Sequence, residues 1–180
     1  MKILINFLTY SRIVCGPIIF LLVTMFESYG GALLLFFYAS ISDFLDGYFA
    51  RKHKLTSVLG AILDPIADKI LILFLIITLT INLESLYFGF LGSLMLAREF
   101  WVAALRDFNA RNGNQEATEV TFLAKIKTST QLVALGSYLA ALYFSSMFLL
   151  FLSNFLFFAA LIITIQTGFT YSIQSFKEAT

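Results

Sequence analysis

Six apolar stretches, each long enough to cross a lipid bilayer, run almost end to end through this 180-residue chain. They cover residues 8–26, 31–49, 58–81, 86–106, 121–144 and 147–171. At 1.5 Å rise per residue, about 20 residues of helix cross a hydrocarbon core of about 30 Å. Lipid offers the backbone no hydrogen-bond partners, so spanning segments must be helices or closed barrels, and stretches this long predict helices. The expected fold is an all-α integral membrane protein with six transmembrane helices in one domain covering residues 1–180. With 59% hydrophobic and 13% charged residues and a mean hydropathy of +0.88, the chain does not read as a soluble domain. A net charge of +1 gives no basic field for nucleic acid. The single Cys15 excludes an internal disulfide and reads as a small apolar residue in a helix, whereas His53 reads as a solvated loop residue. Arg12 interrupts the first apolar run and no small-residue cleavage site follows, so that run is expected to be a retained span rather than a signal peptide.

Orientation follows from charge. The short connections 27–30, 82–85 and 145–146 contain two Glu and no Lys or Arg. The opposite side collects Lys2, Arg51, Lys52, Lys54, Arg106, Arg111, Lys125, Lys127 and Lys177. The positive-inside rule then puts both termini in the cytoplasm, in a multi-pass protein of the inner (cytoplasmic) membrane.

Four aspartates break the apolar pattern where it is most costly to do so. Asp43 and Asp46 end the second span, and Asp64 and Asp68 begin the third. An unpaired carboxylate near a bilayer centre costs roughly 2.5–3.5 kcal/mol, so four would cost on the order of 10 kcal/mol without compensation. Spacings of i,i+3 and i,i+4 place each pair on one helix face, and residues 52–57 make the two helices antiparallel neighbours. The four carboxylates are therefore expected together in a cavity open to the cytoplasm. Hard oxygen donors suit Mg²⁺, Mn²⁺ or Ca²⁺ better than zinc. Gly47, Ala50 and Gly60 keep the flanks of these helices bare for close approach. Arg51 can fork onto a phosphate, and Pro65 frees a backbone carbonyl one turn earlier in its helix.

Residues 43–68 read D-x2-D-G-x2-A-R-x8-G-x3-D-x3-D, eight specified positions in 26 residues. This resembles the signature of the CDP-alcohol phosphatidyltransferases, integral membrane enzymes of phospholipid synthesis. The resemblance implies a six-helix fold, a homodimer, two divalent cations (Mg²⁺ or Mn²⁺), and transfer of a phosphatidyl group from CDP-diacylglycerol to an alcohol with release of CMP. It implies that Asp43, Asp46, Asp64 and Asp68 are metal ligands and that Asp68 is the general base. Gly47, Arg51 and Ser57 match positions that contact the cytidine diphosphate part of the donor, with Ala50 and Gly60 beside them. Ser57 also reads as a helix N-cap.

Further stretches bear on the acceptor. Asn6-Phe-Leu-Thr-Tyr-Ser-Arg12 with Pro17, Ala97-Arg-Glu-Phe-Trp-Val-Ala-Ala-Leu-Arg106, and Ala124-Lys-Ile-Lys-Thr128 with Gln131 are similar to the bacterial members that use sn-glycerol 3-phosphate. In the last of these, Ala124 replaces the usual glycine. That acceptor is a dianion and needs cations of its own. Arg98, Arg106, Lys125 and Lys127 are the candidates. Arg98 and Arg106 share roughly one face; Arg98 also adjoins Glu99, with which it could pair. Lys125 and Lys127, two apart, cannot both face one cavity. Residues 109–119 read as a polar connector, and Trp101 as apolar packing. The competing readings are transfer to another alcohol (serine, inositol phosphate or phosphatidylglycerol), a cation transporter, and a non-catalytic scaffold. The transporter is disfavoured because the aspartates sit on one side and nothing charged continues the path.

Overall fold

The computed structural model describes residues 2–53, 58–113 and 122–178, with side chains over 7–45, 63–113 and 126–177. Six helices follow one another: α1 Lys2–Thr24, α2 Tyr29–His53, α3 Val58–Asn82, α4 Leu86–Arg111, α5 Phe122–Phe144 and α6 Met147–Glu178. Among the described residues, three contain stretches long and apolar enough to cross a membrane, Phe7–Thr24, Leu86–Arg111 and Met147–Lys177, and α2 contributes a shorter apolar run, Tyr29–Leu45.

The helices outrun the apolar stretches expected from sequence. α4 continues to Arg111 and α6 to Glu178, and α2 extends to His53, so His53 ends a helix rather than sitting in a loop. Intrahelical hydrogen bonding does not stop where hydropathy falls; it stops where the backbone turns. The three short connections show how. Each carries one non-glycine residue in the left-handed region: Glu27 (φ 49°), Glu84 (φ 50°) and Ser145 (φ 49°). Each is followed by a serine. Ser85 N–H bonds back to Thr80 O at 3.3 Å and Ser146 N–H to Ala141 O at 3.1 Å, the closing bond of a Schellman-type helix end. The same serines then begin the next helix: Ser85 Oγ accepts from Phe88 N–H at 3.2 Å, and Ser146 Oγ from Leu149 N–H at 3.4 Å.

Side-chain contacts fix the directions. α1 runs parallel to α3: Thr9 faces Asp64, Arg12 faces Asp68, and Gly16 lies against Phe74. α4 runs parallel to α6, with Arg98 at Thr167, Trp101 at Ser172 and Asn109 at Ser175. Antiparallel pairs link the rest: α2 with α5 (Phe36 at Gly136, Tyr143 at Gly30), α3 with α4 (Thr80 at Gly89), and α5 with α6 (Tyr138 at Asn154). The three short turns therefore share one end of the bundle.

Ile19, Ala32, Ala39, Leu75, Leu79, Met95, Leu135 and Leu139 fill the centre. Phe88, Tyr138 and Phe157 join α4, α5 and α6 through a stacked pair 4.5 Å between centroids and an edge contact at 5.0 Å. Lipid removes the hydrophobic drive between helices, so close backbone approach matters more. At Gly136 an added Cβ would lie 2.5 Å from the Phe36 ring, which only glycine permits. Many of the phenylalanines point outward, among them Phe90, Phe148, Phe151, Phe155 and Phe169.

Candidate active site

α1 supplies the side chains that organise the aspartates. Thr9 and Arg12 are i,i+3, on the face of α1 that packs along α3, and both are fully buried. Thr9 Oγ1 donates to Asp64 Oδ1 at 2.8 Å. One nitrogen of Arg12, Nη1, donates to Asp68 Oδ1 at 2.6 Å and also to Asp43 Oδ1. The guanidinium side chain is 1% exposed, while Asp43 and Asp68 are 39% and 32% exposed. The arginine closes the cluster from behind and the carboxylates face open space. Asp64 lies within electrostatic reach of Asp68.

Asp43 lies about three turns before the end of α2, and Asp64 nearly two turns after the start of α3. Asp43 is set deeper in its helix than the span read from sequence would place it, because α2 runs on to His53, whereas α3 begins at residue 58 as that span does and Asp64 stands at the expected depth. Asp43 and Asp68 meet on one arginine nitrogen, and Asp64 stands near Asp68. Asp46, Gly47, Ala50, Arg51 and Gly60 lie on α2 and α3, but their side chains fall outside the described residues, as does Ser57 altogether. Among the described residues no group of three or more acidic, histidine or cysteine side chains forms a ready-made metal cage. The donor set nonetheless suits a hard divalent cation. Oxygens from α2 and α3 converge on one point, and a positive charge already occupies it.

A second charged network joins α4, α5 and α6. Glu99 Oε1 accepts from Lys127 Nζ and, at 3.3 Å, from Arg98 Nη1. Arg98 Nη2 donates to Thr167 Oγ1 at 2.6 Å. Arg98 reaches α6 because residue 168 is glycine; a Cβ there would stand 2.8 Å from Arg98 Cγ. Arg106 lies over the Tyr171 ring, 5.5 Å from its centroid. Arg98 and Arg106 thus both face α6, as their spacing of eight predicts. Lys127 is 5% exposed and turned inward, while the Lys125 side chain lies outside the described residues. Trp101 departs from the apolar reading: it is half exposed and its indole N–H donates to Ser172 Oγ at 2.8 Å. One turn deeper, the amide of Gln131 and the hydroxyl of Thr164 are buried and have no hydrogen-bond partner among the described residues.

The two networks share a depth. Extending the α3–α4 register from Thr80–Gly89 and Ile76–Gly92 brings Asp68 level with Phe100 and Trp101, next to Glu99. Extending the α2–α5 register from Phe36–Gly136 brings Asp43 level with Ser129 and Thr130, within a turn of Lys127. An acidic cluster and a basic cluster thus lie at one depth of the bundle.

Sequence reasoning noted Thr9 and Arg12 as part of a resemblance but assigned them no task. The available signal was Arg12 itself, an arginine within an apolar span, which is as costly there as an aspartate.

The chain matches the CDP-alcohol phosphatidyltransferase family over residues 2–166. It is 39% identical over 176 residues to a CDP-diacylglycerol--glycerol-3-phosphate 3-phosphatidyltransferase of Rickettsia typhi, covering 95% of this chain and 96% of that one. It is 33% identical over 132 residues to the Escherichia coli K12 protein of the same name, covering 72% of each. The Haemophilus influenzae protein of that name is 37% identical over 106 residues, 59% of this chain and 57% of the other. Matched over most of its length by the family model and by these relatives, the chain belongs to the CDP-alcohol phosphatidyltransferase family.

Proposed function

We propose that this protein transfers the phosphatidyl group of CDP-diacylglycerol to sn-glycerol 3-phosphate, giving phosphatidylglycerophosphate and CMP. It does so as a six-span homodimer of the inner membrane, each chain a single domain, with both termini and the site at the cytoplasmic face. The names of relatives matched across most of their length support the substrates. The observation that carries the site is the convergence of Asp43 and Asp68, from two helices, on one centre of positive charge.

Asp43, Asp46, Asp64 and Asp68 would hold two divalent cations, Mg²⁺ or Mn²⁺, which would supply charge neutralisation at the diphosphate and at the departing CMP. Gly47 and Ala50 let the donor's diphosphate approach α2, with Arg51 on a phosphate and Gly60 and Ser57 beside it. Arg98, Arg106 and Lys127, with Lys125 at the entrance, receive the acceptor's phosphate. Glu99 keeps Arg98 and Lys127 oriented toward one point. The acceptor hydroxyl oxygen bonds to the phosphorus that carries diacylglycerol. The bond from that phosphorus to the bridging oxygen breaks, CMP takes the electron pair, and the hydroxyl proton passes to Asp68. Placing basic and acidic clusters at one depth lets a molecule as short as glycerol 3-phosphate touch both.

The test is CMP release by purified protein with CDP-diacylglycerol, Mg²⁺ and a panel of alcohols, with Asp68→Asn alongside. Release that requires glycerol 3-phosphate and is lost in the variant is expected. Release with serine or an inositol phosphate instead would move the acceptor assignment. Absence of release with every alcohol would remove the transferase reading.

A further inference from the structure

The fit between Arg12 and the aspartates goes beyond second-row support. Nη1 stands where the Oδ1 oxygens of Asp43 and Asp68 converge. A single cation bridging those carboxylates would claim the same oxygens. The approach is open from the carboxylate side, since both aspartates are about one-third exposed, and closed from the arginine side. Arg12 is held there by burial: it is fully enclosed between α1 and its neighbours, and Thr9, Cys15 and Gly16 fix the α1 face that carries it.

Charge makes this arrangement necessary. Asp43, Asp64 and Asp68 stand close together where three helices meet, so negative charge on them is mutually repulsive, and half-burial limits what water can screen. A guanidinium at their centre removes most of that repulsion. With a divalent cation on the same oxygens, the guanidinium becomes a like charge at close range.

We propose that Arg12 is the resident counter-ion of the carboxylate cluster: it holds Asp43 and Asp68 together when the site is empty, and divalent cations compete with it for their oxygens. This rests on the metal-binding reading of the aspartates and adds to it a role for α1. The competition weakens cation binding, keeps the empty protein folded, and makes metal loading reversible.

Arg12→Gln and Arg12→Lys are compared with the unaltered full-length protein in detergent by Mn²⁺ titration, read by electron paramagnetic resonance. Thermal unfolding is followed in chelator and in saturating Mg²⁺. Arg12→Gln removes the competitor and is expected to bind Mn²⁺ about tenfold more tightly or better. It should unfold at lower temperature in chelator and recover in Mg²⁺. Arg12→Lys keeps the charge and should stay within about threefold of the unaltered affinity. Mn²⁺ affinity in Arg12→Gln equal to or weaker than in the parent overturns the proposal. So does an Arg12→Gln protein that is unfolded in chelator and Mg²⁺ alike while Arg12→Lys folds, because Arg12 is then a structural group no cation replaces. Failure of the parent and both variants to bind Mn²⁺ removes the metal reading itself, a result distinct from unchanged affinity.

Discussion

Glu99 on α4 and Lys127 on α5 form a buried ion pair, and the same oxygen of Glu99 takes Arg98. One carboxylate therefore sets the direction of two cations from different helices. Replacing it leaves two positive charges in a low-dielectric seam without the carboxylate that pairs them, and breaking a buried pair from one side costs about 3–5 kcal/mol. Glu99→Gln is expected to lower thermal stability by that order. Glu99→Gln combined with Lys127→Gln should lose less than the sum of the single variants, because the second change removes one stranded charge. A double-mutant cycle on unfolding temperature checks this; strict additivity would mean the pair is not coupled.

Lys127 tests whether acceptor binding is separate from donor binding. It is buried one turn from Gln131 and bonded to Glu99 on α4. Lys127→Gln is expected to raise KM for glycerol 3-phosphate by about tenfold or more and to leave KM for CDP-diacylglycerol within about twofold. Steady-state kinetics with each substrate varied in turn read the split. Equal increases in both would place Lys127 outside the acceptor subsite.

Thr9 tests the other helix pair. Its hydroxyl, fully buried, donates to Asp64. Thr9→Val keeps the shape and removes the donor, leaving a carboxylate without its orienting bond, a loss of about 1–3 kcal/mol. Weaker Mg²⁺ dependence, with a several-fold higher half-saturating concentration, is expected, and Thr9→Ser should restore it. A Thr9→Val protein with the parent's Mg²⁺ dependence would assign the bond to folding alone.

The elements of this bundle were legible because two signals are local. Hydropathy over twenty residues marks a helix, and i,i+3 or i,i+4 spacing marks a shared face, so Asp43 with Asp46 and Asp64 with Asp68 could be paired without a structure. What holds those aspartates is not local. Arg12 reaches Asp68 across 56 residues and Thr9 reaches Asp64 across 55, contacts that depend on α1 packing parallel to α3. Arg98 meets Thr167 across 69 residues for the same reason in α4 and α6. Glu99 could be read beside Arg98 as a neighbour in sequence, but its bond to Lys127 needs the α4–α5 crossing. Helix ends were misjudged where hydropathy and hydrogen bonding part company, as at Arg111 and Glu178.

Gly168, a residue with no functional group, makes the room that Arg98 occupies against α6. Arg98 crosses to Thr167 directly over residue 168, and a Cβ there would stand 2.8 Å from Arg98 Cγ and 3.0 Å from Nε. No backbone reason requires glycine, since residue 168 lies within α6. The requirement is space for the arginine. Gly168→Ala is therefore expected to leave the fold intact and displace the guanidinium from Thr167, because a long side chain yields more readily than a helix. KM for glycerol 3-phosphate should rise several-fold, with donor KM and Mg²⁺ dependence unchanged. Thr167→Val, which removes the hydroxyl that Arg98 donates to, should act in the same direction, and the two changes together should exceed neither alone by much because they disturb one contact. Kinetics of the three variants against the parent measure this. Full additivity would show that Gly168 acts on α4–α6 packing rather than on Arg98.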